Sequence, residues 1–301
     1  MSLYQKYRPK DFDEFVGNEE VVEALKGLLS KEEKPHVFLF QGETGCGKTT
    51  LARIVAKKLG CSNEDIHELN MADFRGIDTI REIIRQMQYL PLSGNCQVWI
   101  FDECQKLTNE AQSALLKALE DTPDYVYFIL CTTEPDKLLP TIRGRCSQFQ
   151  VRLLNDDEMM RLLRYVVKAE NESLPKAVFE QIIQDSLGHP RNALQILEQV
   201  LSVPQDKRME VAKRTAEQQS QVIELCRALI NKDSWKKVAN ILSGLKDNDV
   251  EAIRRMVLGY CQAILLKGEN DQAGIVMEQF VNPFWGSFPK LVFACYFIIK
   301  G

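Results

Sequence analysis

The sequence predicts an α/β fold, a five-stranded parallel doubly wound sheet, followed by two all-helical domains. Three observations predict it. A glycine-rich loop stands between an apolar strand at 36–41 and a helix-spaced segment at 50–59. Four more short apolar runs, 66–70, 98–101, 125–131 and 148–153, alternate with helix-spaced segments, the pattern of a parallel sheet with its ligand at the carboxyl edge. From Asn155 onward the strand signal stops and the apolar residues recur at helical spacing. The expected boundaries are 1–154, 155–204 and 205–301.

The opening, Tyr4 to Gly17, is irregular and rich in large side chains, and Val21, Val22, Leu25, Leu28 and Leu29 then repeat at helical spacing. It reads either as an extended arm or, given its aromatics and the Val16-Gly17 turn, as a wall beside a nucleotide base, which needs an apolar slot. Next comes Gly42-Glu43-Thr44-Gly45-Cys46-Gly47-Lys48-Thr49, which satisfies G-x-x-x-x-G-K-[ST], the phosphate loop called Walker A. Leu51, Ile54, Val55 and Leu59 behind it lie on one helix face, so the strand–loop–helix context is complete. Glycines let backbone N–H groups close on phosphate oxygens at the positive end of a helix. Residues Gly42 through Thr50 are therefore expected to bind a nucleoside triphosphate, with Lys48 on the β- and γ-phosphates and the Thr49 hydroxyl on Mg²⁺.

A strand at 66–70 and a helix around 77–88 precede the turn residues Pro91 to Asn95. Val98-Trp99-Ile100-Phe101 then runs into Asp102-Glu103, the Walker B arrangement: the Asp near Mg²⁺, the Glu orienting and deprotonating a water. Asn109 with Gln112 three residues later reads as a capped helix start, and Pro123 ends that helix. After the strand 125–131, Thr132-Thr133 sits where such sheets place ligands; Thr132 either contacts the nucleotide or caps the next turn. Arg143 and Arg145 precede the last strand and, taken alone, read as a solvated pair.

Asn155 to Glu158 forms a second capping box, followed by Met159, Leu162, Leu163, Val166 and Val167 on one side. Pro175 opens a helix carrying Val178, Ile182, Ile183 and Leu187, and a third runs from Gly188 to Leu201. Beyond Pro204, helices are expected near 207–231, 234–245, 249–267, 272–280 and 288–299, the last with an aromatic cluster that reads as core or subunit interface.

Hydrophobic residues make up 45% of the 301, ordinary for a globular protein. The polar start and the shortness of the apolar run 291–299 predict a cytoplasmic protein without a membrane segment. Nine cysteines without a C-x-x-C pair read as reduced thiols, with neither a zinc site nor a disulfide framework. The net charge of −4 gives no general attraction to nucleic acid, so any contact with DNA needs a local basic patch. Arg75, Arg81 and Arg85 are candidates, with a solvated helix face as the alternative.

Taken together, Tyr7-Arg8-Pro9, Val16-Gly17, Gly42 to Thr49, Asp102-Glu103, Thr132 to Pro135, Arg145-Cys146 and Gly188-x-x-Arg191-x-Ala193-Leu194 resemble the clamp-loader ATPases of the AAA+ superfamily, in family order over roughly residues 4–200. The nearest likeness is to the bacterial DNA polymerase III gamma/tau subunit, with the replication factor C small subunits further off. The resemblance implies an ATPase with ATP and Mg²⁺. Tyr7, Arg8, Pro9 and Val16 would line the adenine pocket, and Thr132 (or Thr133) would sense the γ-phosphate. Arg145 would be an arginine finger acting on a neighbour's ATP, and Arg191 a second sensor reaching over from a helical lid. Residues 205–301 would be an oligomerising collar. The implied partners are the other clamp-loader subunits in a ring of five, a sliding clamp and primer–template DNA.

Three departures accompany the likeness. The region before Walker B has no four-cysteine zinc module, Gly144 replaces a serine before the finger, and Cys104-Gln105 follows Walker B where the family often has Ala or Val and then His. The chain also stops at the collar, without the tail of the tau form, and a short zinc-free version suits a bacteriophage. Two rivals remain: a branch-migration helicase, which should end in a basic winged helix, and a catalytically silent clamp-loader subunit, which has no need of Lys48, Thr49, Asp102 and Glu103.

Overall fold

The computed structural model describes residues 1–186, 188–246, 248–265 and 268–300. The chain divides into two compact units, Met1–Val203 and Pro204–Gly301. The first begins with a four-residue helix α1 (Leu3–Lys6), where the sequence reads as irregular, and continues through α2 (Glu19–Leu29) to β1 (Val37–Gln41). There follow α3 (Lys48–Lys58), β2 (Ile66–Asn70), α4 (Ile77–Gln86), β3 (Gln97–Asp102), α5 (Asn109–Glu120), β4 (Val126–Thr132), a short α6 (Pro140–Arg143) and β5 (Ser147–Gln150). All five strands are parallel, in the order β2-β3-β4-β1-β5.

Strand alternation builds two cores. Phe38 and Phe40 of β1, Val98 and Ile100 of β3, and Ile129 and Cys131 of β4 face α2 and α3 on one side. Val37, Leu39, Trp99, Phe101, Phe128 and Leu130 face α4 and α5 on the other. Because both faces are covered, these strands read as continuous apolar runs rather than alternating ones. The order also sets the site: β4 lies between β1 and β3, with Gln41 opposite Thr132 and Phe101 opposite Leu130. The ends of the Walker A strand and the Walker B strand therefore flank Thr132.

Two expectations are corrected. The cap of α5 is Thr108, whose extended backbone aims its hydroxyl at the Ala111 N–H; Asn109 is already helical. The last strand ends at Gln150, not Leu153, because β1, its neighbour, ends at Gln41. Val151 N–H still donates to Gln41 O (2.8 Å), and then the Asn18 side chain takes over both backbone groups of Arg152, at 2.8 and 3.1 Å.

The first unit closes with α7 (Asp156–Ala169), α8 (Lys176–Ser186) and α9 (Pro190–Leu201). The Asn155 capping box is present, with Glu158 and Asn155 bonded reciprocally at 2.9 Å each. Glu158 also receives a bidentate Arg152 at 2.6 and 2.7 Å, which holds its carboxyl below the usual range and ties α7 to the strand edge. Leu187 lies outside the described residues.

The second unit consists of α10 (Arg208–Ile230), α11 (Trp235–Gly244), α12 (Val250–Leu265), α13 (Asp271–Val281) and α14 (Phe288–Lys300) around its own core, which includes Leu225, Leu229, Leu242, Val257, Phe280 and Leu291. The end of the helix expected at 249–267 falls on residues 266 and 267, outside the described set. No helix among the described residues is long and apolar enough to cross a membrane.

Candidate nucleotide site

The loop after β1 is shaped by glycines at two points. Gly42 has φ +155°, and a Cβ there would stand 2.1 Å from Val151 O, so no side chain fits. Gly47, the residue before α3, has φ +112°, and a Cβ would come within 3.0 Å of the Phe15 ring. Cys46 points into the core and is buried, so its share in holding a ligand comes from its backbone. Lys48 is 5% exposed, and its Nζ donates to Gly42 O (2.9 Å) and Glu43 O (2.8 Å). The N–H groups of the first turn of α3 have no acceptor within the helix, and with its dipole they favour an anion.

Asp102, the last residue of β3, faces this loop. Its Oδ2 accepts from the Thr49 hydroxyl at 2.8 Å, and its Oδ1 accepts from the Glu103 N–H at 3.1 Å. Glu103 has left-handed backbone, φ +53°, a conformation costing on the order of 1 kcal/mol for a residue with a side chain. Lys48, Thr49, Asp102 and Glu103 line one cleft, together with Thr44, Gly45, Thr50, Tyr4, Arg8 and Arg191. The donor set fits the groups implied by the motifs. A hydroxyl beside a carboxylate offers the hard oxygens Mg²⁺ takes, and a lysine over a loop too tight for Cβ atoms fits phosphate.

A second, apolar pocket adjoins the cleft. Tyr7, Arg8, Pro9 and Val16 all line it, with Phe15, Leu162, Leu194 and Arg191. Tyr7 is anchored by its hydroxyl to Glu170 Oε1 on the loop after α7 (2.5 Å), and Arg8 Nε donates to the Thr50 hydroxyl (3.1 Å).

Tyr4 and His189 are absent from the sequence-based candidates. The Tyr4 hydroxyl accepts from Arg191 Nη2 at 2.9 Å, and the Arg191 guanidinium stands 4.8 Å from the Tyr4 ring centroid. His189 meets Thr44 O through Nδ1 at 3.0 Å. Tyr4 precedes Tyr7 by one helical turn, but a four-residue helix is too short for its spacing to register as a pattern.

Two residues stand differently. Thr132 is fully buried; its hydroxyl donates to Gln105 Oε1 (2.8 Å) and accepts from Glu134 N–H (3.0 Å), so it does cap the turn. Arg145 lies outside the cleft, paired with Glu120 and donating to Thr141 O at 3.0 Å. Arg81 and Arg85 are exposed and pair with Asp78 and Glu82 on their own helix at 3.2 and 3.3 Å; the Arg75 side chain is exposed.

Comparison with known proteins gives four findings. A family model described as DNA polymerase III, delta subunit, matches residues 64–155. A DNA polymerase III subunit gamma/tau of Mycobacterium bovis is 36% identical over 67% of this chain and 39% of its own length. The DNA polymerase III subunit tau of Bacillus subtilis is 31% identical over 68% of this chain and 40% of its own length. This chain thus spans about two-fifths of the length of these relatives. Among solved structures, a Thermotoga maritima RuvB Holliday junction branch migration motor superposes with a TM-score of 0.61 at 22% identity, covering 74% of this chain and 79% of that one. At that identity the likeness is one of fold.

Proposed function

From the premise that this chain belongs to the clamp-loader group of AAA+ ATPases, we propose that it binds ATP with Mg²⁺ and hydrolyses it as one subunit of a five-membered ring. That ring opens a sliding clamp and loads it on primer–template DNA. The observation that carries the ATPase reading is the Thr49–Asp102 bond of 2.8 Å in the cleft that also holds Lys48 and Glu103. Residues 155–204 act as the lid and residues 205–301 as the collar. The exposed Phe293, Tyr296 and Phe297 on one side of α14 support the collar reading, since a surface of this kind suits contact with neighbouring subunits.

In this reading Gly42 to Thr50 hold the phosphates, and Lys48 exchanges its loop carbonyls for β- and γ-phosphate oxygens. Thr49 and Asp102 hold Mg²⁺, which when bound supplies charge neutralisation at the phosphates. Glu103 takes the proton of a water whose oxygen attacks the γ-phosphorus as the bond to the β-phosphate oxygen breaks. Tyr7, Arg8, Pro9 and Val16 enclose the adenine. Thr132 relates the end of β4 to the γ-phosphate, Arg191 brings the lid onto the nucleotide, and Arg145 serves the nucleotide of a neighbouring subunit.

The branch-migration alternative shares the fold, but the described residues of 204–301 contain helices and no strand, whereas a winged helix needs strands. A silent subunit does not require the intact Lys48, Thr49, Asp102 and Glu103 set. In equilibrium ATP binding and steady-state hydrolysis with clamp and primed DNA, Lys48→Ala loses binding. Glu103→Gln keeps binding and loses about 10²–10⁴-fold in turnover, the range of a general base. Normal hydrolysis by Glu103→Gln refutes the base; normal ATP affinity in Lys48→Ala refutes the loop. The proposal includes no structural zinc, because Cys46, Cys61, Cys96 and Cys104 lack ligand spacing and Cys46 belongs to the phosphate loop itself. Stoichiometric zinc in the purified protein would overturn that part.

A further inference from the structure

Gln105 departs from the family pattern and has no role in the mechanism proposed above, yet it is buried, 6% exposed, in the 3₁₀ turn Cys104–Lys106 directly after Walker B. Its Nε2 donates to Glu103 Oε2 (2.5 Å) and to the Thr133 hydroxyl (2.8 Å), and its Oε1 accepts from the Thr132 hydroxyl (2.8 Å). Both N–H groups and the carbonyl of the amide are thus engaged. The reversed amide would set a carbonyl oxygen against the Glu103 carboxylate, so the network itself selects this orientation.

The groups it joins belong to two elements. Glu103 follows β3, whereas Thr132 ends β4, the strand between β3 and the Walker A strand, and Thr133 comes directly after it. A glutamate has three side-chain torsions, and one bond from a buried amide removes much of that freedom. It occupies Oε2 and leaves Oε1 for a water. Thr132 is fully buried and already bonded to Gln105, so its position reaches Glu103 through this amide.

We propose that Gln105 is the positioning residue for the general base: its amide holds the Glu103 carboxylate for proton abstraction and couples that position to Thr132 and Thr133 at the end of β4. This rests on reading Glu103 as the base. The geometry of a base matters steeply, since a misplacement of about 1 Å can cost on the order of 10²-fold in rate.

The test uses the full chain assembled with clamp and primed DNA, and reads single-turnover ATP hydrolysis, the ATP dissociation constant and thermal melting. Gln105→Met keeps length and apolar packing and removes all three bonds. Gln105→Glu keeps the shape and an acceptor for Thr132, replaces the donor with a like charge, and decides the matter if the Met variant does not fold. Either folded variant should lose about 10²-fold in rate while ATP affinity stays within about twofold. In a Glu103→Gln background the same change should cost less than about twofold more, because residues acting through one group are not additive. A purely structural glutamine would give additive losses or parallel changes in affinity, and either result overturns the proposal. So does wild-type turnover in a folded variant when Glu103→Gln is inactive. Normal turnover in Glu103→Gln alone refutes the reading of Glu103, and the Gln105 inference with it.

Discussion

Lys48 and Arg145 are two cations in opposite circumstances, the first just after the carboxyl end of β1 and the second just before the amino end of β5. Lys48 is buried, and its ammonium rests on carbonyls of its own loop in a cleft that also contains the Mg²⁺-type ligands. Arg145 is 38% exposed, outside that cleft, and neutralised by Glu120 on α5. The first is complete within one chain. The second is held by a surface ion pair, worth at most about 1 kcal/mol, and is released at little cost to meet a stronger anion. The contrast teaches that nucleotide binding is a local property here, whereas full catalysis, in the proposed mechanism, is a property of the ring.

The sharpest way to break this comparison is Arg145→Ala. ATP affinity should stay near wild type, while turnover stimulated by clamp and primed DNA falls by about 10³-fold or more, the usual worth of an arginine finger. A verified monomer hydrolysing ATP as fast as the complex, indifferent to Arg145→Ala, would place the whole mechanism in cis and erase the distinction. Mixing Arg145→Ala with Lys48→Ala subunits then separates donor from acceptor within one interface.

A smaller effect sharpens the comparison, because Arg191 is an intermediate case. It lines the cleft from α9, outside the sheet, and its guanidinium is held on Tyr4 by a hydrogen bond and ring contact. Arg191→Ala should weaken ATP binding about tenfold, the worth of one charge-assisted hydrogen bond. Tyr4→Phe, which keeps the ring and removes only the acceptor, should lie between that variant and wild type. Titration of the isolated chain with a fluorescent ATP analogue measures both. Unchanged affinity in Arg191→Ala would remove the lid from the binding site.

Much of the site was legible because its chemistry is contiguous. Gly42 to Thr49 is a single turn of chain whose conformation follows from its glycines, and Asp102-Glu103 marks itself by ending an apolar run. Where contact depended on residues far apart, legibility failed. Tyr4 meets Arg191 across 187 positions, and His189 meets Thr44 across 145. The α5 cap stands at Thr108, one residue before the Asn109 that the sequence favours, because both are good caps and backbone dihedrals choose between them.

The sequence alone determined the alternation of strands and helices, the phosphate loop, the Walker B strand and the change to all-helical structure after residue 154. Each is encoded within a dozen residues, by periodicity and by the conformations that glycine and proline permit. Tertiary structure alone decided which strand lies between β1 and β3, and so which side chains meet at their ends. Strand order is settled by packing two covered faces at once, which no local pattern records. That order brings Gln105 to Thr132, 27 positions away, and turns a glutamine that reads as a family deviation into the buried link between Glu103 and β4.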